Sequence, residues 1–132
     1  MIFTKTSKYA IKIIHLMAKS GGILLPASLI CQELDIPYKY ITHILLVLKK
    51  KGLIESVKGK KGGYRLKFQA DQIYLNQVLE IFENLEEMNR CLFNINSECN
   101  GNSPCPLHKY WGKINSHLNE MIYNVKISDL IK

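Results

Sequence analysis

Apolar side chains recur at spacings of three and four residues through most of the chain, which is the pattern of amphipathic helices. A first helix, with Thr6 and Ser7 as candidate N-caps, should end at the glycine pair 21–22. A second should follow Pro26, a third should span about residues 38–51, and a fourth residues 73–84. The positions predicted to face a core are Ala10, Ile13, Ile14 and Met17, then Leu29, Ile30 and Leu34, then Ile41, Ile44, Leu45 and Leu48, and finally Leu75, Val78, Leu79 and Phe82.

Between the third and fourth helices the apolar period changes to two. Tyr64, Leu66 and Phe68 alternate with basic residues, as in a half-buried strand, and a glycine-rich turn separates them from the segment 53–58. The two segments predict a β-hairpin. The second and third helices, joined by a tight turn at residues 35–37, predict a helix-turn-helix, and the hairpin after it is then a wing.

A long apolar seam runs from Leu107 to Val125 at helical spacing, and residues 127–132 should form a short closing helix. A body of this size would struggle to cover the seam, so we expect it to pair with the same helix of a second copy. Packing wholly within its own chain is the alternative. The predicted dimer contacts are Trp111, Ile114, Leu118, Met121, Ile122 and Val125.

The fold class predicted from these elements is mainly α with a small β-hairpin wing. A winged helix-turn-helix DNA-binding domain should occupy residues 1–84, and a cysteine loop with a long C-terminal dimerisation helix residues 85–132. No apolar run is long enough for a membrane span, and the N-terminus lacks a secretory signal pattern. A cytoplasmic protein without membrane contact is therefore expected.

The net charge of +7 is concentrated in the first half of the chain. Residues 1–70 hold 13 Lys or Arg against three acids, about +10, whereas residues 71–132 hold five against eight, about −3. A basic module joined to a mildly acidic one indicates binding of a polyanion such as DNA. The candidate DNA contacts are Lys39, Tyr40, Thr42 and His43 on the third helix, Lys58, Lys60 and Lys61 at the wing tip, and Lys5, Tyr64 and Arg65.

Three of the four cysteines, Cys91, Cys99 and Cys105, lie within fifteen residues, and His108 follows at the Cys-x-x-His spacing. Turn-forming residues fill the segment, so something other than packing must hold it. Soft thiolates indicate iron-sulfur chemistry or zinc, and a structural zinc site or a metal-free thiol sensor stays open. Cys105 and His108 have no third orienting residue, so no enzyme is predicted. Cys31, alone in the second helix, should be a small core residue.

Four motifs together resemble the Rrf2 family of bacterial transcription regulators. They are the opening TKTSKYAI at 4–11, the turn IPYKYI at 36–41, the wing SVKGKKGGYRL at 56–66, and the set Cys91, Cys99, Cys105 and His108. The resemblance covers essentially the whole chain. It implies a homodimeric winged helix-turn-helix repressor or activator that binds a pseudo-palindromic operator in double-stranded DNA.

The resemblance also implies that the three cysteines of the motif ligate an iron-sulfur cluster, 2Fe–2S in preference to 4Fe–4S. The cluster would control DNA affinity in response to iron-sulfur status, redox state or nitric oxide. The seven residues between Cys91 and Cys99 make a longer gap than is usual in the family. Some relatives use a carboxylate near the start of the first helix, where Ser7 and Lys8 stand here, and this favours His108 as the fourth ligand. The other histidines have lesser expected roles: His15 as a weaker ligand candidate, and His43 and His117 at the surface or facing DNA.

Overall fold

The computed structural model describes residues 3–88 and 106–132. In chain order its elements are α1 (Lys5–Lys19), α2 (Ala27–Leu34), α3 (Tyr38–Lys50), β1 (Ile54–Val57), β2 (Gly63–Leu66), α4 (Leu75–Phe82), α5 (Leu85–Met88) and α6 (His108–Asn124), with 3-10 turns at Ala70–Gln72 and Ile127–Ile131. Within these ranges the fold is mainly helical with an antiparallel hairpin, as the sequence predicts. The predicted division at residue 84 falls in the short connection between α4 and α5 and stays a prediction.

α1 begins before its predicted N-caps. Thr4 is the N-cap, because its hydroxyl oxygen accepts a hydrogen bond from the Ser7 backbone N–H at 3.2 Å. Thr6 and Ser7 therefore lie inside the first turn, which corrects the prediction that they cap the helix. Ser7 is fully buried because it stands in line with Ala10 and Ile14 on the face that α1 turns to the core.

α2 and α3 form the helix-turn-helix. Asp35 ends α2 in the left-handed conformation, with φ 51°, and the chain turns sharply into α3. Of the three α2 positions predicted to face the core, Ile30 is fully buried, Leu34 is half-buried and Leu29 is 37% exposed. A helix of eight residues meets its neighbours over about one turn, so positions flanking Ile30 lie at the rim. The buried face of α3 is as predicted, with Ile41, Ile44, Leu45 and Leu48.

β1 and β2 form an antiparallel wing of four residues in each strand. Leu25, just before α2, adds a bridge to β2 through two backbone hydrogen bonds with Tyr64, at 2.8 and 2.9 Å. Gly63 permits this close approach, since a Cβ there would lie 2.6 Å from the carbonyl carbon of Leu25. Backbone contacts therefore fasten the wing to the helix-turn-helix.

Two clusters of apolar side chains form the core. The larger draws mainly on α1, α2, α3 and β1 and also includes Ile73, Val78 and Ile127. The smaller joins α4, α5 and α6, with Leu85 and Ile122 among its buried members. Leu85 therefore packs α5, the last element before the cysteine segment (residues 89–105), into the same cluster as α6.

The apolar seam of α6 divides between the chain's own core and the surface. Trp111 and Ile122 are 7% and 1% exposed within the chain, so they offer little surface for the predicted contact with a second copy. Ile122 is buried because it packs with Leu75 and Leu79 of α4. The other predicted dimer contacts are half-buried (Leu118, Val125) or exposed (Ile114, Met121). Neither α6 nor any other helix in residues 3–88 and 106–132 is long and apolar enough to cross a membrane.

The C-terminal segment returns to the start of α4. The Leu75 N–H donates to the Val125 carbonyl oxygen at 2.9 Å, and the Ile127 N–H donates to the Ile73 carbonyl oxygen at 2.8 Å. The predicted closing helix is a 3-10 turn whose first residue, Ile127, is fully buried. These contacts fix the far end of α6 to α4.

Candidate nucleic-acid interface

The first two turns of α3 present a polar face to solvent. Lys39, Tyr40 and His43 are exposed there, while Ile41 between them is buried. The Thr42 hydroxyl is half-buried and donates a hydrogen bond to the Lys39 carbonyl oxygen at 3.0 Å, which holds it to its own helix. The side chains best placed to reach base edges in a major groove are therefore Lys39, Tyr40 and His43.

An aromatic contact joins the start of α1 to the start of α3. The rings of Tyr9 and Tyr40 meet edge to face, with centroids 5.8 Å apart and planes at 73°. The Lys5 ammonium lies 5.8 Å from the centroid of the Tyr9 ring, within range of a cation–π contact. Lys5 is thereby held close to the exposed start of α3.

The wing tip carries three exposed lysines, Lys58, Lys60 and Lys61. Gly62 allows the tight turn between the strands, since a Cβ there would collide with the Val57 carbonyl oxygen. Within residues 3–88 and 106–132 none of the three lysines has an acidic partner. Their charge is therefore open to an external anion, and DNA phosphate is one that lysine-bearing loops bind.

Two of the candidate DNA contacts lie on β2, away from the tip, and have partners within the chain. The Tyr64 side chain is half-buried against the larger apolar cluster. Arg65 donates a hydrogen bond from Nε to Glu55 Oε1 at 2.8 Å across the hairpin. Both side chains of this ion pair are 41% exposed, so it contributes about 1 kcal/mol at most. Tyr64 and Arg65 thus shape the wing.

Glu83, directly after α4, holds the N-terminus of α1, a role that the sequence pattern does not predict. Its Oε1 accepts hydrogen bonds from the Thr4 backbone N–H at 2.6 Å and the Ser7 hydroxyl at 2.7 Å. Burial raises the pKa of Glu83, but the hydrogen bonds from Thr4 and Ser7 outweigh it, so the pKa is lowered from its usual value. The signal in the sequence is Ser7 itself, because a hydroxyl in line with an apolar stripe needs a buried partner.

The cysteine segment joins α5 to α6. Its three predicted thiolate ligands lie outside the described residues: Cys91, Cys99 and Cys105. His108 is the first residue of α6 and is half-buried. The indole Nε1 of Trp111 and the side-chain oxygen of Asn115 are buried on the same helix, without hydrogen-bond partners in the described part of the chain. Such atoms are costly to leave unpaired, so each is a candidate to bind water, a ligand or another part of the assembly.

The remaining cysteine and histidines have separate positions. Cys31 is half-buried against the larger cluster and its thiol donates to the Ile36 carbonyl oxygen at 2.9 Å, as expected of a small core residue. His15 is half-buried on α1, His43 is exposed on α3, and the His117 side chain is 86% exposed on α6. No three His, Cys, Asp or Glu residues within the described ranges come together as metal ligands.

A helix-turn-helix with an exposed recognition face, a lysine-tipped wing and a basic first half define a winged helix-turn-helix DNA-binding protein. The chain belongs to the Rrf2 family, whose model, described as an iron-dependent transcriptional regulator, matches residues 3–132. It is therefore a DNA-binding transcriptional regulator. The family assignment also confirms the prediction that the chain is not an enzyme.

Named relatives agree with this assignment. The chain is 28% identical to a provisionally named HTH-type transcriptional regulator of Aquifex aeolicus, over 99% of this chain and 92% of the relative. It is 26% identical to the HTH-type transcriptional regulator IscR of Vibrio campbellii, over 100% of this chain and 78% of the relative.

Solved structures share the fold. CymR, described as the global cysteine regulator of B. subtilis, superposes with a TM-score of 0.79 at 20% identity, over 98% of this chain and 95% of that one. IscR of T. potens superposes with a TM-score of 0.71 at 18% identity, over 97% of this chain and 84% of that one. At these identities the two structures establish the fold alone.

Proposed function

We propose that this regulator binds a pseudo-palindromic operator as a homodimer, and that an iron-sulfur cluster held by the cysteine segment sets its affinity for DNA. The supporting observation is the order of elements. Three cysteines and His108 stand between α5, which packs next to the DNA-binding module, and the exposed part of α6, the candidate dimer surface. A group bound between these elements could act on both.

The residue types fit the cluster. Iron-sulfur clusters are held by thiolates such as Cys91, Cys99 and Cys105, and the His108 imidazole can complete the ligand set. A histidine ligand is compatible with the 2Fe–2S type, which we therefore prefer. The unpaired indole N–H of Trp111 supports the proposal, since cluster sulfurs accept hydrogen bonds. When bound, a cluster would supply a redox-sensitive cross-link between the cysteines and the start of α6.

On the DNA side, Lys39, Tyr40 and His43 would contact base edges, with Thr42 beside them. The three wing-tip lysines and Lys5 would contact phosphates. The exposed and half-buried apolar side chains of α6 would meet their counterparts in a second copy. A two-fold axis there would present the helix-turn-helix units of the two copies to half-sites about 34 Å apart.

The alternatives keep the same DNA-binding dimer and change only the signal. One alternative is a cluster-free form in which thiol chemistry or a partner protein signals. A structural zinc site with three thiolates and His108 is the other alternative.

Metal analysis tests the proposal with a matched pair of cysteine variants. Cys99→Ser removes a proposed ligand, and Cys31→Ser removes a thiol that packs in the core. After anaerobic purification we expect iron and sulfide in wild type and Cys31→Ser, and little of either in Cys99→Ser. Stoichiometric zinc would support the structural zinc site, and a protein without metal would support the thiol sensor; either result would contradict the cluster.

A further inference from the structure

Glu83 is the point at which three parts of the molecule meet. Its carboxylate holds the first turn of α1, through hydrogen bonds of 2.6 Å from the Thr4 N–H and 2.7 Å from the Ser7 hydroxyl. Its backbone N–H closes α4 by donating to the Leu79 carbonyl oxygen at 2.8 Å. Its neighbour Asn84 caps α5 by accepting from two backbone N–H groups, at 3.2 and 3.4 Å. α1, α4 and the helix that leads to the cysteine segment are therefore tied together by two adjacent residues, Glu83 and Asn84.

The start of α1 also contacts the start of α3, on the face proposed to bind DNA. The ring centroids of Tyr9 and Tyr40 are 5.8 Å apart, and the Lys5 ammonium lies over the Tyr9 ring. Ser7, on the core-facing side of the same turn, is fully buried, so this turn of α1 has little room to shift unless the hydrogen bonds to Glu83 change. The start of α3 is thus linked to Glu83 through one helical turn.

We propose that Glu83 is a positioning residue for DNA recognition. By fixing the first turn of α1 it fixes, through Tyr9, the Tyr40 ring and the first turn of α3. A displacement at the α4–α5 junction then moves the helix that reads DNA, and this is the route from the cysteine segment to the DNA-binding face. The positioning of α3 stands without the proposed function, whereas the regulatory route rests on it.

A positioning role differs measurably from a purely structural one. Losing a structural cap lowers stability and weakens binding to all sequences alike. Losing the position of Tyr40 lowers the preference for the operator over an unrelated duplex, because the wing-tip phosphate contacts remain.

The test uses Glu83→Gln, Ser7→Ala and the double variant, with Glu87→Gln as the matched control. Glu87 is exposed on α5, and its side chain has no partner among residues 3–88 and 106–132, so the control removes the same charge without breaking a contact. An operator is first selected from random duplexes with the wild-type protein. Affinity for this operator and for an unrelated duplex is then measured at one salt concentration, with thermal unfolding in parallel.

Each single variant should lower operator preference by about fivefold or more. The double variant should lose no more than the larger single loss, because Glu83→Gln weakens the hydrogen bond from Ser7 and Ser7→Ala removes that same bond. Glu87→Gln should keep the wild-type preference. Equal preference in Glu83→Gln and Glu87→Gln would overturn the proposal, and so would strictly additive losses in the double variant.

Measuring each protein before and after removal of bound iron separates this inference from the proposed function. If wild-type affinity does not depend on iron, the proposed function fails, while the operator preference of the variants still tests Glu83. If wild type responds to iron and Glu83→Gln responds by the same factor, the regulatory route through Glu83 is wrong.

Discussion

Side chains at the DNA-facing surface differ in whether their charges have partners inside the chain. The wing-tip lysines have no acidic partner in the described ranges, whereas Arg65 is paired with Glu55. A charge already paired within the chain gains less from a phosphate, because the existing attraction must be given up. We therefore propose that the tip of the wing binds phosphate, whereas the strands set the shape of the wing.

Replacing Lys60 and Lys61 by Ala should weaken binding to all DNA sequences. Each lost phosphate contact removes about 0.9 from the slope of log affinity against log salt, so the slope should fall by about 2 for each protomer bound to the DNA. Fluorescence anisotropy over a range of salt concentrations measures it. Lys109→Ala with Lys113→Ala, on the exposed side of α6, makes the same charge change away from the wing and should leave the slope near the wild-type value. An unchanged slope in the wing variant would exclude these lysines from the interface.

The stability contributed by Glu83 should depend on pH in one direction. Its pKa is lower in the folded protein than the usual value of about 4.3, so the contribution is full above that value and is lost as pH falls through the folded pKa. In urea denaturation, wild type should exceed Glu83→Gln by about 1 kcal/mol or less near neutral pH, since the carboxylate is partly solvated. This difference should shrink below about pH 4. A difference that stays constant with pH would show that the charge is not responsible.

At the scale of elements, the wing depends on one backbone contact with the segment before α2. Gly63→Ala would place a Cβ 2.6 Å from the Leu25 carbonyl carbon and 2.7 Å from its oxygen. We expect a loss of about 1–3 kcal/mol in the free energy of unfolding and weaker DNA binding. Gly112→Ala, in α6, has no atom of the described residues within 4 Å of the added Cβ apart from the local backbone of its own helix, and should instead gain about 0.5–1 kcal/mol. Equal stability of the two variants would contradict a stabilising role for the bridge between Leu25 and Tyr64.

The elements also show which features could be predicted from the sequence. The buried face of α3 and the strands of the wing follow from local periodicity, and both are found where expected. The N-cap of α1, the exposure of Leu29 and the burial of Trp111 depend on which elements pack together across the chain. Periodicity reports that a residue is apolar and lies on a face, but not which neighbour covers that face.

At the scale of the whole molecule, the exposed part of α6 is the predicted dimer surface. Ile114 is 55% exposed, and Ile114→Glu would bury a charge in that interface. We expect the wild-type protein to sediment as a dimer at micromolar concentration and the variant as a monomer. The thermal stability of the variant should be close to that of the wild-type chain after its dimer has dissociated. Lys113→Glu, at the adjacent exposed position, is the control and should remain dimeric. A dimeric Ile114→Glu variant would place the interface elsewhere.

The packing of the whole molecule explains why only part of the candidate site could be predicted from the sequence. The cysteines and His108 are recognisable from residue type and spacing, and the lysine-tipped wing from its local pattern. The tie from Glu83 to Ser7 joins residues 76 positions apart, so it arises only once α1 and α4 pack together. The proposed link between the cysteine segment and the DNA-binding face is thus a property of the folded molecule.

Whether the cysteine segment controls DNA binding is measured most directly by titrating the selected operator with anaerobically purified protein, before and after removal of its iron, at constant ionic strength. Cys99→Ser and Cys31→Ser are titrated in parallel. We expect the affinity of wild type and Cys31→Ser to change by about tenfold or more on iron removal, and Cys99→Ser to give the metal-free affinity throughout. The same wild-type affinity with and without iron would contradict control by an iron-sulfur cluster.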